Sequence, residues 1–221
     1  RRGVSVSVNY RDAKVVVHAP VSMTEEQVAD FIKKRAEWIW PRWKEAKECA
    51  WASQKKFRAG DVFLYLGKPY VLRVGREEVN VPRVRISKKS LEVILSSEED
   101  EFDTSVIREL LVSWFRDKAE EILWDRVSRM ANRVGVEPKE IKIVEWRSKW
   151  GTCDREKKVI RLNWRLVQAP LEVIDYVAAH EVAHLLVPNH SSLFRSILVL
   201  LSPNYRECRS WLRKHGAMLI W

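Results

Sequence analysis

Apolar and polar residues alternate singly from Val4 to Val8, a period of two that places the valines on one face of a half-buried strand. A second β-prone run, Ala13 to Val17, follows the turn at Asn9 to Asp12, so the two predict a hairpin that Pro20 ends. The spacing then becomes helical. Ser22 or Thr24 can cap a helix running through Glu25, Glu26, Val28, Phe31 and Ile32 toward Trp38, and Pro41 should stop or bend it. Strand patterns return between Phe57 and Val74 as VFLYL and YVLRV, joined through Gly67-Lys68-Pro69, and again as the pair Val84 to Ile86 and Leu91 to Leu95.

From Thr104 the period lengthens. Val106, Ile107, Leu110, Leu111, Trp114, Phe115, Ala119, Ile122, Leu123 and Val127 recur at helical spacing, predicting a long amphipathic helix that ends near Gly135. The segment Ile141 to Asn163 has β-prone ends around a polar middle, Cys153 to Lys158, and reads as a hairpin with Val159 to Leu162 returning. The fold class that follows is α+β. A β-rich region with one inserted helix covers residues 1–100, a mainly helical region covers 101–221, and the acidic stretch Ser96 to Asp103 is the expected seam.

Composition adds limits. With 46% hydrophobic residues in 221, the chain can bury a real core, and the 11 tryptophans, several on apolar stripes, read first as packing. No run approaches the ~18 apolar residues of a membrane span, and the opening RRGVSVSVNY lacks a signal-peptide core. Three widely spaced cysteines, Cys49, Cys153 and Cys208, fit reduced thiols, so the expectation is a cytoplasmic protein without disulfides. The net charge of +10 favours an anionic partner, although a basic, solvated surface accounts for it equally well. No aromatic-basic motif accompanies it, so nucleic-acid binding has no support beyond charge.

The chemistry concentrates in Tyr176 to Ser191, YVAAHEVAHLLVPNHS. On a helix, His180 and His184 lie one turn apart on one face, close enough for both imidazoles to reach a single metal ion. Glu181, one position round, can reach a metal-bound water without being a ligand, as a general base must. Pro188 should stop the helix near Leu186 or Val187, and the chain then turns back through Asn189 to bring in His190. Three protein ligands with one open position predict a catalytic centre with one zinc ion per chain. Asp175, about a turn earlier, is a candidate to orient an imidazole from behind. Arg147, Lys149 and Trp150 are candidate contacts to substrate or to charge developing in the transition state, with a solvated strand face as the plainer explanation.

The run R-S-K-W-G-T-C (Arg147 to Cys153), then I-R-L-N-W-R-L, then P-L-E-V-I-D-Y-V-A-A-H-E-V-A-H and N-H-S, closely resembles the YgjP-like metal-dependent hydrolases. The likeness extends over the whole chain, including V-V-V-H-A-P and L-G-K-P-Y. It implies a zincin-type metallopeptidase domain over 101–221, His180, His184 and His190 as metal ligands, Glu181 as catalytic acid and base, and the W-G-S-C segment close to the metal-bearing helix. Two positions depart from the pattern: Thr152 stands where serine is usual, and Arg195 where Trp is frequent after N-H-S-x-x-F. Such a centre can hydrolyse an amide or a phosphoanhydride. The substrate is therefore expected to be a peptide or an anionic nucleotide, the resemblance extending to pyrophosphate release from uridine triphosphate. A nucleic-acid-associated protein resembling the SprT proteases is a third reading, disfavoured because no cysteine-pair zinc ribbon is present.

Overall fold

A computed structural model of the chain describes residues 3–10, 12–52, 55–96 and 103–221. Contacts divide it into two compact units, Arg1–Gln54 with Ser210–Trp221, and Lys55–Arg209. The seam expected at Ser96 to Asp103 falls largely outside the described residues, whereas the units part at 54/55 and 209/210.

In the first unit, β1 (Ser5–Asn9) and β2 (Lys14–His18) form the expected hairpin, registered from Ser5 opposite His18 to Asn9 opposite Lys14. The single helix expected next is two. Thr24 caps α1 (Glu25–Lys33) through a capping box with Gln27, and α2 (Ala36–Ala52) packs on the hairpin. The break comes at Lys34–Arg35, and Pro41 sits inside α2, in its second turn. A proline there gives up its own bond to the Glu37 carbonyl and its ring crowds that carbonyl, yet the helix continues through it.

The second unit opens on a four-stranded sheet, β3 (Val62–Tyr65), β4 (Lys68–Arg76), β5 (Arg83–Ser87) and β6 (Ser90–Leu95), in the order β3-β4-β6-β5. The β3–β4 turn is Leu66-Gly67, both at positive φ (49° and 77°), the twist that suits a two-residue hairpin. Lys68 and Pro69, expected in that turn, belong to β4. The turn also bonds outward. Leu66 and Gly67 donate to the carbonyls of Val167 and Gln168 at 2.9 and 3.1 Å. A side chain on Gly67 would meet Pro170 at 2.9 Å, so glycine lets the sheet seat directly on the chain that enters the site helix.

Asp103 caps α3 (Thr104–Arg133) by accepting from Ser105 N–H, and Gly135 at φ +67° follows its end. Ile107, Leu111, Phe115, Ala119, Leu123 and Val127 form one stripe, each at most 1% exposed. Fully burying the larger of these side chains, all but Ala119, stabilises by roughly 1.5–3 kcal/mol each before entropy is counted, and this stripe makes α3 the spine of the unit. Against it lie a three-stranded sheet, a 3-10 turn (Trp164–Gln168) and α4 (Leu171–Leu186).

That sheet comprises β7 (Glu140–Val144), β8 (Gly151–Asp154) and β9 (Val159–Asn163), in the order β7-β9-β8. The two β-prone ends of the 141–163 segment therefore pair in parallel, not as the expected hairpin. The hairpin is β8–β9, because the chain passes β9's far edge before turning back into it. Helices α5 (Ser192–Leu201) and α6 (Tyr205–His215) follow α4. The architecture is α+β, and among the described residues no helix is long and apolar enough to cross a membrane.

Candidate metal centre

Helix α4 is buried along most of its length, so a carboxylate and two imidazoles within it carry a desolvation cost that packing alone does not explain. His180 and His184 project one turn apart, half-buried, and the helix ends at Leu186, where Val187 turns extended (φ −130°, ψ 118°) just ahead of Pro188. Ser191 caps α5 by accepting from Phe194 N–H, and this fixes the preceding His190. One ligand nitrogen from each of the three histidines lies within 4.8 Å of the other two.

The ring orientations suit a metal. His184 Nδ1 lies 3.1 Å from the Val187 carbonyl, so it carries the proton and leaves the Nε2 lone pair free. Nε2 of His180 and Nε2 of His190 approach to 3.3 Å. Two nitrogens on a tetrahedral ion with metal–nitrogen bonds near 2.0–2.1 Å stand roughly 3.3–3.4 Å apart, so this pair already has the spacing of shared ligation. Burial, then the neighbouring His184, His190 and Arg209, pushes the His180 pKa down to about 4. Burial and His190 lower His184 too, against the Val187 carbonyl. Both rings are neutral at pH 7, the form that ligates.

Glu181 is only 6% exposed, and burial pushes its carboxyl up to about 7. It sits against Gly151 of β8, where a Cβ would lie 2.6 Å from Oε1 and 2.8 Å from Cγ. The W-G-T-C segment and the H-E-x-x-H helix thus pack together with Gly151 against Glu181.

The model of the YgjP-like family, metallopeptidase domain, matches residues 4–215. The chain belongs to that family. Among solved structures, the crystal structure of the metallopeptidase zymogen of Pyrococcus abyssi abylysin is similar at 19% identity over 41% of this chain and 90% of that one, with a TM-score of 0.38. No curated protein matches. Membership makes this YgjP-like chain a metal-dependent hydrolase, and its three histidines are a group that could hold the ion.

Around the YgjP-like centre the other expected residues fall differently. Asp175 does not back a histidine but faces Arg126 of α3, both carboxylate oxygens 3.4 Å from Nη1. Five residues before His180 is about 140° round the helix, so its side chain leaves on another face. Behind His180 itself, Nδ1 is buried and has no hydrogen-bond partner among the described residues. Arg147 and Lys149 are exposed on the bend before β8, and Trp150 is half-buried there, its carbonyl accepting from Asn163 N–H at 2.9 Å. Cys153, on β8, is a free thiol pushed up to about 12 by burial, then by Glu181 and Asp154, and it is not one of the three residues whose ligand atoms converge. Cys208 is also free, and the side chain of Cys49 lies outside the described residues.

Three structural contributors went unassigned in the sequence. Gly151 stands in a quoted motif, but only the packing of β8 on α4 shows that its missing side chain makes room for Glu181. Phe194, 1% exposed, sets its ring centroid 5.1, 4.6 and 4.7 Å from those of His180, His184 and His190, wedging all three. Asn163 donates to the Trp146 and Lys149 carbonyls at 2.7 and 3.0 Å and accepts from Arg165 N–H, holding the bend ahead of β8.

Proposed function

We propose that the chain is a zinc-dependent peptide hydrolase in which His180, His184 and His190 hold one zinc ion and Glu181 moves the proton. The observation that carries this reading is the buried Glu181 carboxyl, one residue from the first histidine and seated on Gly151. Zinc, when bound, supplies Lewis acidity that acidifies a water and polarises a carbonyl. Glu181 takes the proton from the attacking water and returns it to the leaving amine, and a carboxyl whose burial has drawn its pKa toward neutrality suits both transfers. Its fixed seat supplies orientation, since the side chain lies against Gly151 and the histidine rings are wedged by Phe194. Strand β8 has β9 on one side and is the edge of its sheet, a position where an extended peptide can add as a further strand. Arg147 and Lys149, exposed beside that edge, are placed to meet the incoming chain.

The test is Glu181→Gln, which keeps the size of the side chain and removes its basicity. Turnover of a peptide library should fall about 10²- to 10⁴-fold while zinc content stays at one ion per chain. Loss of zinc would make Glu181 a ligand and end the three-histidine assignment. Pyrophosphate released from a nucleoside triphosphate panel, with no peptide cut, would replace the amide by a phosphoanhydride as the bond cleaved.

A further inference from the structure

A cleft of about 550 Å³ opens directly beside the histidines, between α4, α5 and α6. Its walls include His180 and His190, its floor is Phe194 and Leu198, and Arg195, Tyr205 and Arg209 complete the lining with Tyr176. No aspartate or glutamate is among these residues. We propose that this cleft is a specificity subsite for a carboxylate group of the substrate, received by Arg195 and Arg209. The inference rests on the peptide-hydrolase reading above and adds the chemistry of the group flanking the cleaved bond.

The contrast with other arginines of the unit is the starting point. Arg126 pairs with Asp175, Arg129 with Asp125, and both Arg116 and Arg165 with Glu145. Arg133 donates to the Leu200 and Leu201 carbonyls. Those guanidiniums tie elements together. Arg195 and Arg209 are exposed, and among the described residues neither has a carboxylate partner; Arg195 donates one Nη1 bond, 3.3 Å long, to the His190 carbonyl. That bond anchors Arg195 at the metal-side wall and leaves the other face of its fork free. Arg209 is near enough for its charge to act on both Tyr176 and His180.

Geometry adds a third contact. Tyr205 and Arg209 are four residues apart on α6 and so share one face. The Tyr205 hydroxyl accepts from Arg206 Nε at 3.2 Å, so its own proton is free to be donated elsewhere. Two guanidiniums and a hydroxyl over an apolar floor match a carboxylate on a short methylene stem. The floor takes the stem, Phe194 and Leu198 being 1% and 3% exposed, while the guanidinium forks bond the oxygens in pairs. Hydrogen bonds to charged groups contribute about 1.5–3 kcal/mol, so an acidic peptide should be preferred over its amide isostere by at least about tenfold.

The carboxylate has two possible sources, an acidic side chain or the free end of a peptide. Peptides that differ only as Glu or Gln beside the cleaved bond, each as a C-terminal acid and as an amide, are compared by kcat/KM on the zinc-loaded protein. The same labelled peptides are titrated by fluorescence anisotropy against chelator-treated protein, where turnover plays no part. A preference of tenfold or more for Glu identifies a side-chain subsite, and one for the free acid over the amide identifies a terminus subsite. Arg209→Ala and Arg195→Ala should each cut the preference to within about threefold, while Arg209→Lys keeps part of it. Because the readout is a ratio on one sample, a reduced folded fraction cancels. If wild-type protein cleaves peptides but treats acid and amide forms within twofold in both assays, the subsite is refuted and the hydrolase stands. If no peptide is cleaved, the hydrolase reading fails, and the anisotropy ratio alone decides the subsite.

Discussion

The trios β4-β6-β5 and β7-β9-β8 share one topology: in each, the last strand in chain order lies in the middle, parallel to the first and antiparallel to the second. Both middle strands are buried on both faces, β6 through Leu91, Val93, Ile94 and Leu95, and β9 through Val159, Ile160 and Leu162. The edges differ. Strand β5 carries Arg83 and Arg85, about half exposed and paired with Glu77 and Glu92, as befits a solvated border. Strand β8 is half-buried throughout, with α4 packed on it and Gly151 against Glu181. One arrangement of strands therefore serves as scaffold or as a wall of the candidate metal centre, according to what its antiparallel edge presents and what packs there. The ion pairs on β5 are of the exposed kind that contributes little, so that edge is free to vary, whereas β8 is held to the space that Glu181 occupies.

The largest effect expected from separating the two regions is at the metal. His184→Ala removes a proposed ligand whose tautomer the Val187 carbonyl sets, and metal affinity should fall more than about 100-fold, beyond the 10- to 100-fold typical of losing a supporting group. Metal content measured after dialysis reads this, and an unchanged zinc stoichiometry would overturn the site. Next comes Gly151→Ala. The added methyl meets the end of a flexible side chain, so the protein should fold, but the Glu181 carboxylate must move. Displacement on the order of 1 Å costs about 10²-fold in turnover, with zinc retained.

Asn163→Ala, at the end of β9, should lower the unfolding free energy by about 2 kcal/mol, since two carbonyls lose their donor; denaturant titration measures it. The smallest effect belongs to Gly75→Ala on β4, where a new Cβ meets nothing within 4 Å. Stability should change by no more than about 0.5 kcal/mol and activity not at all. Equal losses of turnover from Gly75→Ala and Gly151→Ala would erase the distinction between the two sheets.

Much of this is legible in the sequence, and the limits have physical causes. His180, Glu181 and His184 declare themselves because their spacing and their geometry are the same fact on a helix. The α3 stripe and the β1–β2 hairpin are likewise local patterns. Pairing of β7 with β9 is not local: each strand is visible by composition, but which edge the intervening β8 takes depends on where α4 and α3 lie. Pro41 does not end the helix although a proline costs a hydrogen bond and crowds the preceding turn, and the packing of α2 on the hairpin is tertiary support that no local pattern displays. Asp175 is near His180 in sequence but leaves the helix on another face, and Gly151 gives no signal because a glycine's function here is the space it leaves.

The carbonyl of Val187 joins two properties that are usually independent. A helix leaves its last four carbonyls without intrahelical partners, and here one of them orients the ring that the helix itself presents. The terminator of α4 is thereby also a tuner of ligand basicity. Were Pro188 lost and the helix extended, that carbonyl would be claimed by a backbone N–H, and His184 would be free to turn over and offer its other nitrogen. With His184 as a proposed ligand, helix length, ordinarily a matter of stability, would at this position set metal affinity, so changes at 187–189 should be read with a metal titration before a melting curve.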